Sequence, residues 1–150
     1  MMNICFEQER GTITLLTEHT AYQMQIGPNG YLLHTYYGRR CQEDFSYLHL
    51  ERDCGFSPNP YALSASRGFS LDTMPQEYSG SNGADFRLPC IMQKNTDGIM
   101  GVDMHYVHHE IRQGKYGLSG LPSACAKEED TAETLSVILY DAASRPEAAS

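Results

Sequence analysis

Alternating segments meet at Gly27-Pro28-Asn29-Gly30, and that junction constrains the chain more than any other stretch. Before it, Thr12 to Leu16 and Ala21 to Ile26 carry apolar side chains at alternate positions; after it, Tyr31 to Tyr37 is rich in aromatic and aliphatic residues. A period of two sends successive side chains to opposite faces of an extended strand, and the Gly-Pro-Asn-Gly run reverses the chain. An antiparallel hairpin or meander is therefore predicted, with Gly38-Arg39-Arg40 closing its last strand. Strict alternation would place Tyr31, Leu33, Thr35 and Tyr37 on one face and Leu32, His34 and Tyr36 on the other. Both faces carry apolar bulk, as in a strand covered on two sides.

The later chain continues in this manner. Cys90 to Gln93 and Met100 to Ile111 read as extended segments around a turn at Asn95-Thr96-Asp97-Gly98, and Thr134 to Asp141 reads as a strong late strand. Gly114, Gly117, Gly120 and Pro122 mark a loop between them. No stretch has the 3.6-residue apolar period of a long amphipathic helix, so the expected class is all-β, a β-sandwich with long Gly/Pro-rich loops. Residues 142–150 lose apolar periodicity and are expected to form a disordered tail.

Composition narrows the function classes. A chain of 150 residues fits one domain and can bury roughly 70% of its unfolded surface. A formal charge of −8 with only 11 Lys and Arg argues against nucleic acid as a partner. No apolar run approaches the roughly 18 residues that span a bilayer, so no membrane partner is expected. The first ten residues reach Glu7, Glu9 and Arg10 too soon for a secretory signal, which makes the cytoplasm the expected location. Cys5, Cys41, Cys54, Cys90 and Cys125 are odd in number and include no C-x-x-C pair, a pattern of reduced thiols. His105, His108, His109 and Glu110 suggest a metal cluster, but strand alternation would send His105 and His109 one way and His108 and Glu110 the other. No metal or other cofactor is expected.

The segment from Ser70 to Pro89 is the richest in chemistry. It gathers Asp72, Glu77, Tyr78, Asp85, Phe86 and Arg87 between Pro75, Gly80, Gly83 and Pro89. Such carboxylates and flat apolar faces suit a polyhydroxylated ligand. Two of Asp72, Glu77 and Asp85 could form the carboxyl pair of a glycoside hydrolase. Turn capping by Asp72 and an Asp85–Arg87 loop ion pair account for the same residues without catalysis. There is no G-x-S-x-G elbow and no phosphate-binding glycine loop.

A family resemblance rests on several motifs in one order. Gly55-Phe56-Ser57-Pro58-Asn59-Pro60 is followed by Phe69-Ser70-Leu71-Asp72-Thr73, Gln76-Glu77-Tyr78 and Asp85-Phe86-Arg87. Gly114-Lys115, Gly120-Leu121-Pro122 and Glu133-Thr134-Leu135 continue the series. The chain thereby resembles the N-terminal domain of the α-galactosidases of glycoside hydrolase family 36, which are retaining enzymes.

The resemblance implies that residues 1–141 are part of an N-terminal β-supersandwich. A catalytic (β/α)₈ barrel would follow in the family, and its size of about 250 residues exceeds this chain. Catalytic residues are accordingly expected to be absent. The implied partners are α-galactoside sugars such as melibiose and raffinose, and a homo-oligomer, tetrameric in full-length relatives, or a downstream catalytic domain. By position in the motifs, Asp53 and Arg67 are the implied substrate-binding residues, serving a neighbouring subunit's site. A carboxylate accepts sugar hydroxyl hydrogens and a guanidinium donates in a fixed fork. Cys125 stands where the family has an aromatic, and the chain after Asp141 lacks the family's next alternating strand, as expected of a fragment. The alternative is a stand-alone carbohydrate-binding β-sandwich module.

Overall fold

The computed structural model describes residues 3–49, 68–81, 85–96, 98, 100–122 and 132–144. Its strands are β1 (Asn3–Glu7), β2 (Thr12–Leu16), β3 (Thr20–Ile26), β4 (Leu32–Arg39), β5 (Met104–Gln113) and β6 (Glu133–Asp141). The first four form one sheet in sequence order, the last two form another, and each strand pairing is antiparallel. No α-helix occurs among the described residues, and no helix is long and apolar enough to cross a membrane. The class is all-β, with two antiparallel sheets in a sandwich-like arrangement.

Alternation explains how the layers meet. Ile4, Ile13, Met24 and Leu32 bury one face of the four-stranded sheet, and Leu135 and Val137 of β6 pack against them. The opposite direction of Leu33 brings it to a second cluster with Tyr31, Phe69, Leu71 and Met74, where the Tyr31 and Phe69 rings stack at 5.7 Å. Strand β4 is thus covered on both sides, as its composition requires.

The turn at residues 27–30 has the form its sequence demands. Gly27 N donates to Tyr31 O at 2.8 Å, while Asn29 and Gly30 take φ of 63° and 81°, a left-handed pair that Asn and Gly tolerate best.

Two bulges correct the simple alternation. Gln23 pairs with Tyr36 but Met24 pairs with His34, so Thr35 is an extra residue in β4. Such an insertion sends neighbouring side chains to the same side. Thr35 Oγ1 donates to Gln23 Oε1, and Tyr36 stacks on Phe45 at 4.3 Å on that face. Tyr37, expected beside Leu33, instead lies with His34 around Tyr22, at ring separations of 6.0 and 5.1 Å. In β5, Tyr106 pairs with Leu139 and His108 with Ile138, leaving Val107 unpaired.

Other boundaries also move. Strand β4 continues through Gly38 and Arg39, which pair with Ala21 and Thr20. Cys90 to Gln93 contributes one bridge, Gly80 to Ile91, and Lys94 bridges to Met100, so β5 begins at Met104. After β6, Ala142–Ser144 forms a single 3₁₀ turn whose first amide bonds Asp103 O at 2.7 Å. Residues 145–150 lie outside the described residues.

Strand β1 was not evident in the sequence, where the N-terminus showed chiefly its charges. Only Ile4 of its five residues is buried. The strand is tied to the second sheet by Glu133, which accepts from Ile4 N at 2.7 Å and from Gln113 Nε2 at 3.0 Å. A Glu133→Ala chain is expected to lose about 1 kcal/mol and to expose the Ile4 amide to faster hydrogen exchange. Unchanged exchange at Ile4 would show that this bond does not hold β1.

Candidate functional site

The Ser70 to Pro89 loop is built onto the outer edge of β4. His34 N donates to Pro75 O at 2.7 Å and Glu77 N to Leu32 O at 2.9 Å, with Gln76 bridging Leu33. Proline is compatible with this edge position because its carbonyl, rather than an amide hydrogen, makes the bond. Phe69, Leu71 and Met74 are buried beneath Leu33, so the base of the loop is fixed by core packing.

Asp85 and Arg87 hold the top of this loop. The Asp85 side chain is only 2% exposed. Its Oδ1 accepts from Arg87 N at 3.0 Å and Arg87 Nε at 2.9 Å. Its Oδ2 accepts from Arg87 Nη2 at 2.7 Å and Gln76 Nε2 at 2.9 Å. The same Nη2 reaches Leu71 O at 2.8 Å and Met74 O at 2.6 Å. Burial pushes the Asp85 carboxyl up, but the bonds and charge of Arg87, with Gln76, outweigh it and hold Asp85 below the ordinary carboxylate range.

The other two carboxylates are also engaged within the protein. Asp72 Oδ1 accepts from Ser70 Oγ, while Ser70 O accepts from the Thr73 and Met74 amides, so Asp72 braces a turn. Glu77 Oε2 accepts from Tyr22 OH at 2.5 Å, and its Oε1 lies 3.0 Å from His34 Nδ1. Burial, and then the bond and charge of Glu77, push the Tyr22 phenol well above its usual range. A hydrolytic pair requires one carboxyl to protonate a leaving group and another to attack or activate water across the sugar. Asp72, Glu77 and Asp85 are instead each committed to a different contact.

A cleft of about 610 Å³ opens between the sheets, lined by Leu15, Met24, Leu32, Leu135 and Val137, with Glu77 at its edge. Its walls are apolar apart from Glu77 and the Tyr78 hydroxyl and offer little to sugar hydroxyls, and both Glu77 oxygens already have partners. Tyr78 and Phe86 are exposed. Asp53 and Arg67, the implied sugar-binding residues, lie outside the described residues, as does the Gly55 to Pro60 motif.

The bulge at Val107 rearranges the histidines. His105 Nδ1 lies 2.7 Å from Asn29 O and its Nε2 2.9 Å from Asp103 Oδ2. His109, expected to face with His105, instead takes a 2.7 Å hydrogen bond with Tyr106 OH and packs edge-on to Phe6 at 4.4 Å. Among the described residues no three His, Cys, Asp or Glu side chains are grouped to hold a metal ion. Cys5, Cys41 and Cys90 are free thiols; Cys54 and Cys125 lie outside the described residues.

Sequence reasoning paired Asp85 with Arg87 but missed Gln76, Tyr22 and His34 as partners of the loop carboxylates. Tyr22 and His34 are 55 and 43 residues from Glu77, and no local pattern signals such contacts. Asp103, which accepts from Tyr31 OH at 2.7 Å as well as meeting His105, was likewise unmarked.

Comparison with known proteins identifies this architecture. Residues 30–149 match the Glycosyl hydrolase family 36 N-terminal domain. The bifunctional alpha-galactosidase/sucrose kinase AgaSK of Mediterraneibacter gnavus is 43% identical over 140 residues, which are 93% of this chain and 15% of that protein. The alpha-galactosidase AgaA of Geobacillus stearothermophilus is 35% identical over 142 residues, 94% of this chain and 19% of its own length. The solved galactosidase domain of AgaSK superposes with a TM-score of 0.87 at 42% identity, covering 95% of this chain and 20% of that one. The chain thus spans a fifth or less of the length of these relatives. It belongs to glycosyl hydrolase family 36, as a part of the family's N-terminal domain.

Proposed function

We propose that this chain is a non-catalytic portion of the N-terminal β-supersandwich of a cytoplasmic α-galactosidase acting on terminal α-galactosides such as melibiose and raffinose. The supporting observation is the match over residues 30–149, on a fold whose loop carboxylates are occupied by internal contacts. Its role is assembly: it contributes to a tetramer and presents Asp53 and Arg67 to a neighbouring subunit's sugar. The hydrolytic chemistry belongs to a catalytic barrel elsewhere in the enzyme.

Calorimetric titration of the isolated chain with galactose and raffinose is expected to show no saturable millimolar binding, because half of the site belongs to another subunit. Saturable binding would instead support a stand-alone carbohydrate-binding module. In an enzyme carrying this chain, Asp53→Ala or Arg67→Ala is expected to raise KM about tenfold, the loss of one charge-assisted hydrogen bond, with kcat little changed. An unchanged KM in both variants would remove these residues from the sugar site.

A further inference from the structure

His105 is held between two groups that only accept hydrogen bonds. Its Nδ1 lies 2.7 Å from Asn29 O and its Nε2 lies 2.9 Å from Asp103 Oδ2. A neutral imidazole carries one N–H and one lone pair, whereas an imidazolium carries two N–H groups. A backbone carbonyl and a carboxylate have no hydrogen to offer, so both bonds form together only when the ring is doubly protonated. His109 is under no such constraint, because its Nδ1 meets the Tyr106 hydroxyl, which can donate or accept. His49 lies between His34 O and Gln25 Oε1, where the amide can turn its NH₂ toward a ring lone pair.

The surroundings of His105 favour the cation. Asp103 faces the ring directly, and its other oxygen accepts from Tyr31 OH at 2.7 Å. The Tyr31 and His105 rings are 4.5 Å apart, inside the ~6 Å over which an aromatic ring attracts a cation. From β6, Tyr140 is the cross-strand partner of His105, and Asp141 Oδ1 accepts from Asp103 N at 2.8 Å. The turn supplies Gly27, Pro28, Asn29 and Gly30, whose side chains do not titrate. Among these described neighbours there are two carboxylates and no other cation. The His105 side chain is 19% exposed, so water has little room to replace either partner.

We propose that His105 is a pH-dependent staple between the two sheets, fastening the β3–β4 turn at Asn29 to Asp103 ahead of β5. Nδ1–H holds the turn and Nε2–H holds Asp103. When the ring gives one proton to solvent, the remaining hydrogen stays with the carboxylate, because the charged acceptor makes the stronger bond. Nδ1 then presents a lone pair to Asn29 O, and the turn is released. Histidines change charge between about pH 5 and 8, so the staple is complete on the acid side of that range and lost on the alkaline side. Tyr31 links it to the base of the Ser70 to Pro89 loop, since it follows the turn, bonds Asp103 and stacks on Phe69.

Two measurements on the 150-residue chain test the staple. Nitrogen-15 correlated NMR of the imidazole is expected to show slowly exchanging hydrogens on both His105 nitrogens at pH 5.5 and on Nε2 alone at pH 9. Absence of the Nδ1–H signal at pH 5.5 would remove the bond to Asn29 and overturn the proposal. In urea melts, His105→Gln is expected to raise the unfolding constant most at pH 5.5. Its ratio to that of the unchanged chain should fall roughly tenfold by pH 9, the loss of one charge-assisted hydrogen bond. A ratio constant across that range would show that the charge on the ring does not fasten the sheets. The spectra need no substitution, so they decide the matter even where His105→Gln prevents folding.

Discussion

Replacing Asp85 with alanine is expected to lower stability by about 3 kcal/mol, the lower end for removing one partner of a buried ion pair. The lower end applies because the Arg87 side chain is 46% exposed and retains water when its partner is lost. For a chain of this size, that loss corresponds to a fall in melting temperature of roughly 6–12 °C. Asp85→Asn should cost nearly as much. Its amide NH₂ would confront one of the Arg87 or Gln76 donors that the carboxylate oxygens now accept.

The pH dependence follows from the direction of the Asp85 shift. The folded carboxyl is held below its ordinary value, so the native state favours the charged form. The contribution is fully present above the unfolded value of about 3.9 and disappears as pH falls through the lower folded value. The stability gap between the unchanged chain and Asp85→Asn should therefore narrow as pH is lowered from 6 to 3. A constant gap in urea melts across that range would show that the charged pair is not what holds the loop.

The second large effect is expected at Gly80, where a Cβ would lie 1.9 Å from Val102 O and 2.7 Å from Val102 C. These are backbone atoms, and Val102 is itself buried with its amide bonded to Ser81 O at 3.0 Å. No side-chain rotation can relieve the overlap. Gly80→Ala should cost about 3 kcal/mol or more, at or beyond the usual overpacking range. Gly117→Ala is the matched control: its Cβ would meet nothing within 4 Å, and reduced freedom of the unfolded chain makes the change neutral or stabilising by about 0.5 kcal/mol. Equal melting temperatures for the two variants would mean that the approach of Gly80 to Val102 is unimportant.

Strands β2, β3 and β4 were marked by alternation and turns because each buries apolar residues, and β6 because its alternate Leu135 and Val137 pack half-buried against that core. The bulges at Thr35 and Val107 were not marked, since an inserted residue leaves composition unchanged and reveals itself only in pairing. That is why Tyr37 and His109 face otherwise than strict alternation suggested. Strand β1 was obscured because Ile4 is the one buried residue in its ladder with β2 and its tie to the second sheet comes from Glu133, a residue 129 positions away.

At the candidate site, Asp85 and Arg87 could be paired from sequence because they are two residues apart. The roles of Tyr22 and His34 depended on β4 lying beside Glu77, a tertiary fact. The family was legible because the motifs Phe69 to Thr73, Gln76 to Tyr78 and Asp85 to Arg87 mark this bracing. They describe how the loop is held, while the implied sugar contacts fall at Asp53 and Arg67.

The most direct measurement is hydrolysis of a chromogenic α-galactoside by the purified, folded chain. The chemistry is assigned to a barrel outside it, so product release should equal the buffer blank from pH 4 to 8. Sustained turnover by the chain, abolished by Asp72→Asn, Glu77→Gln or Asp85→Asn in a variant that remains folded, would contradict the account.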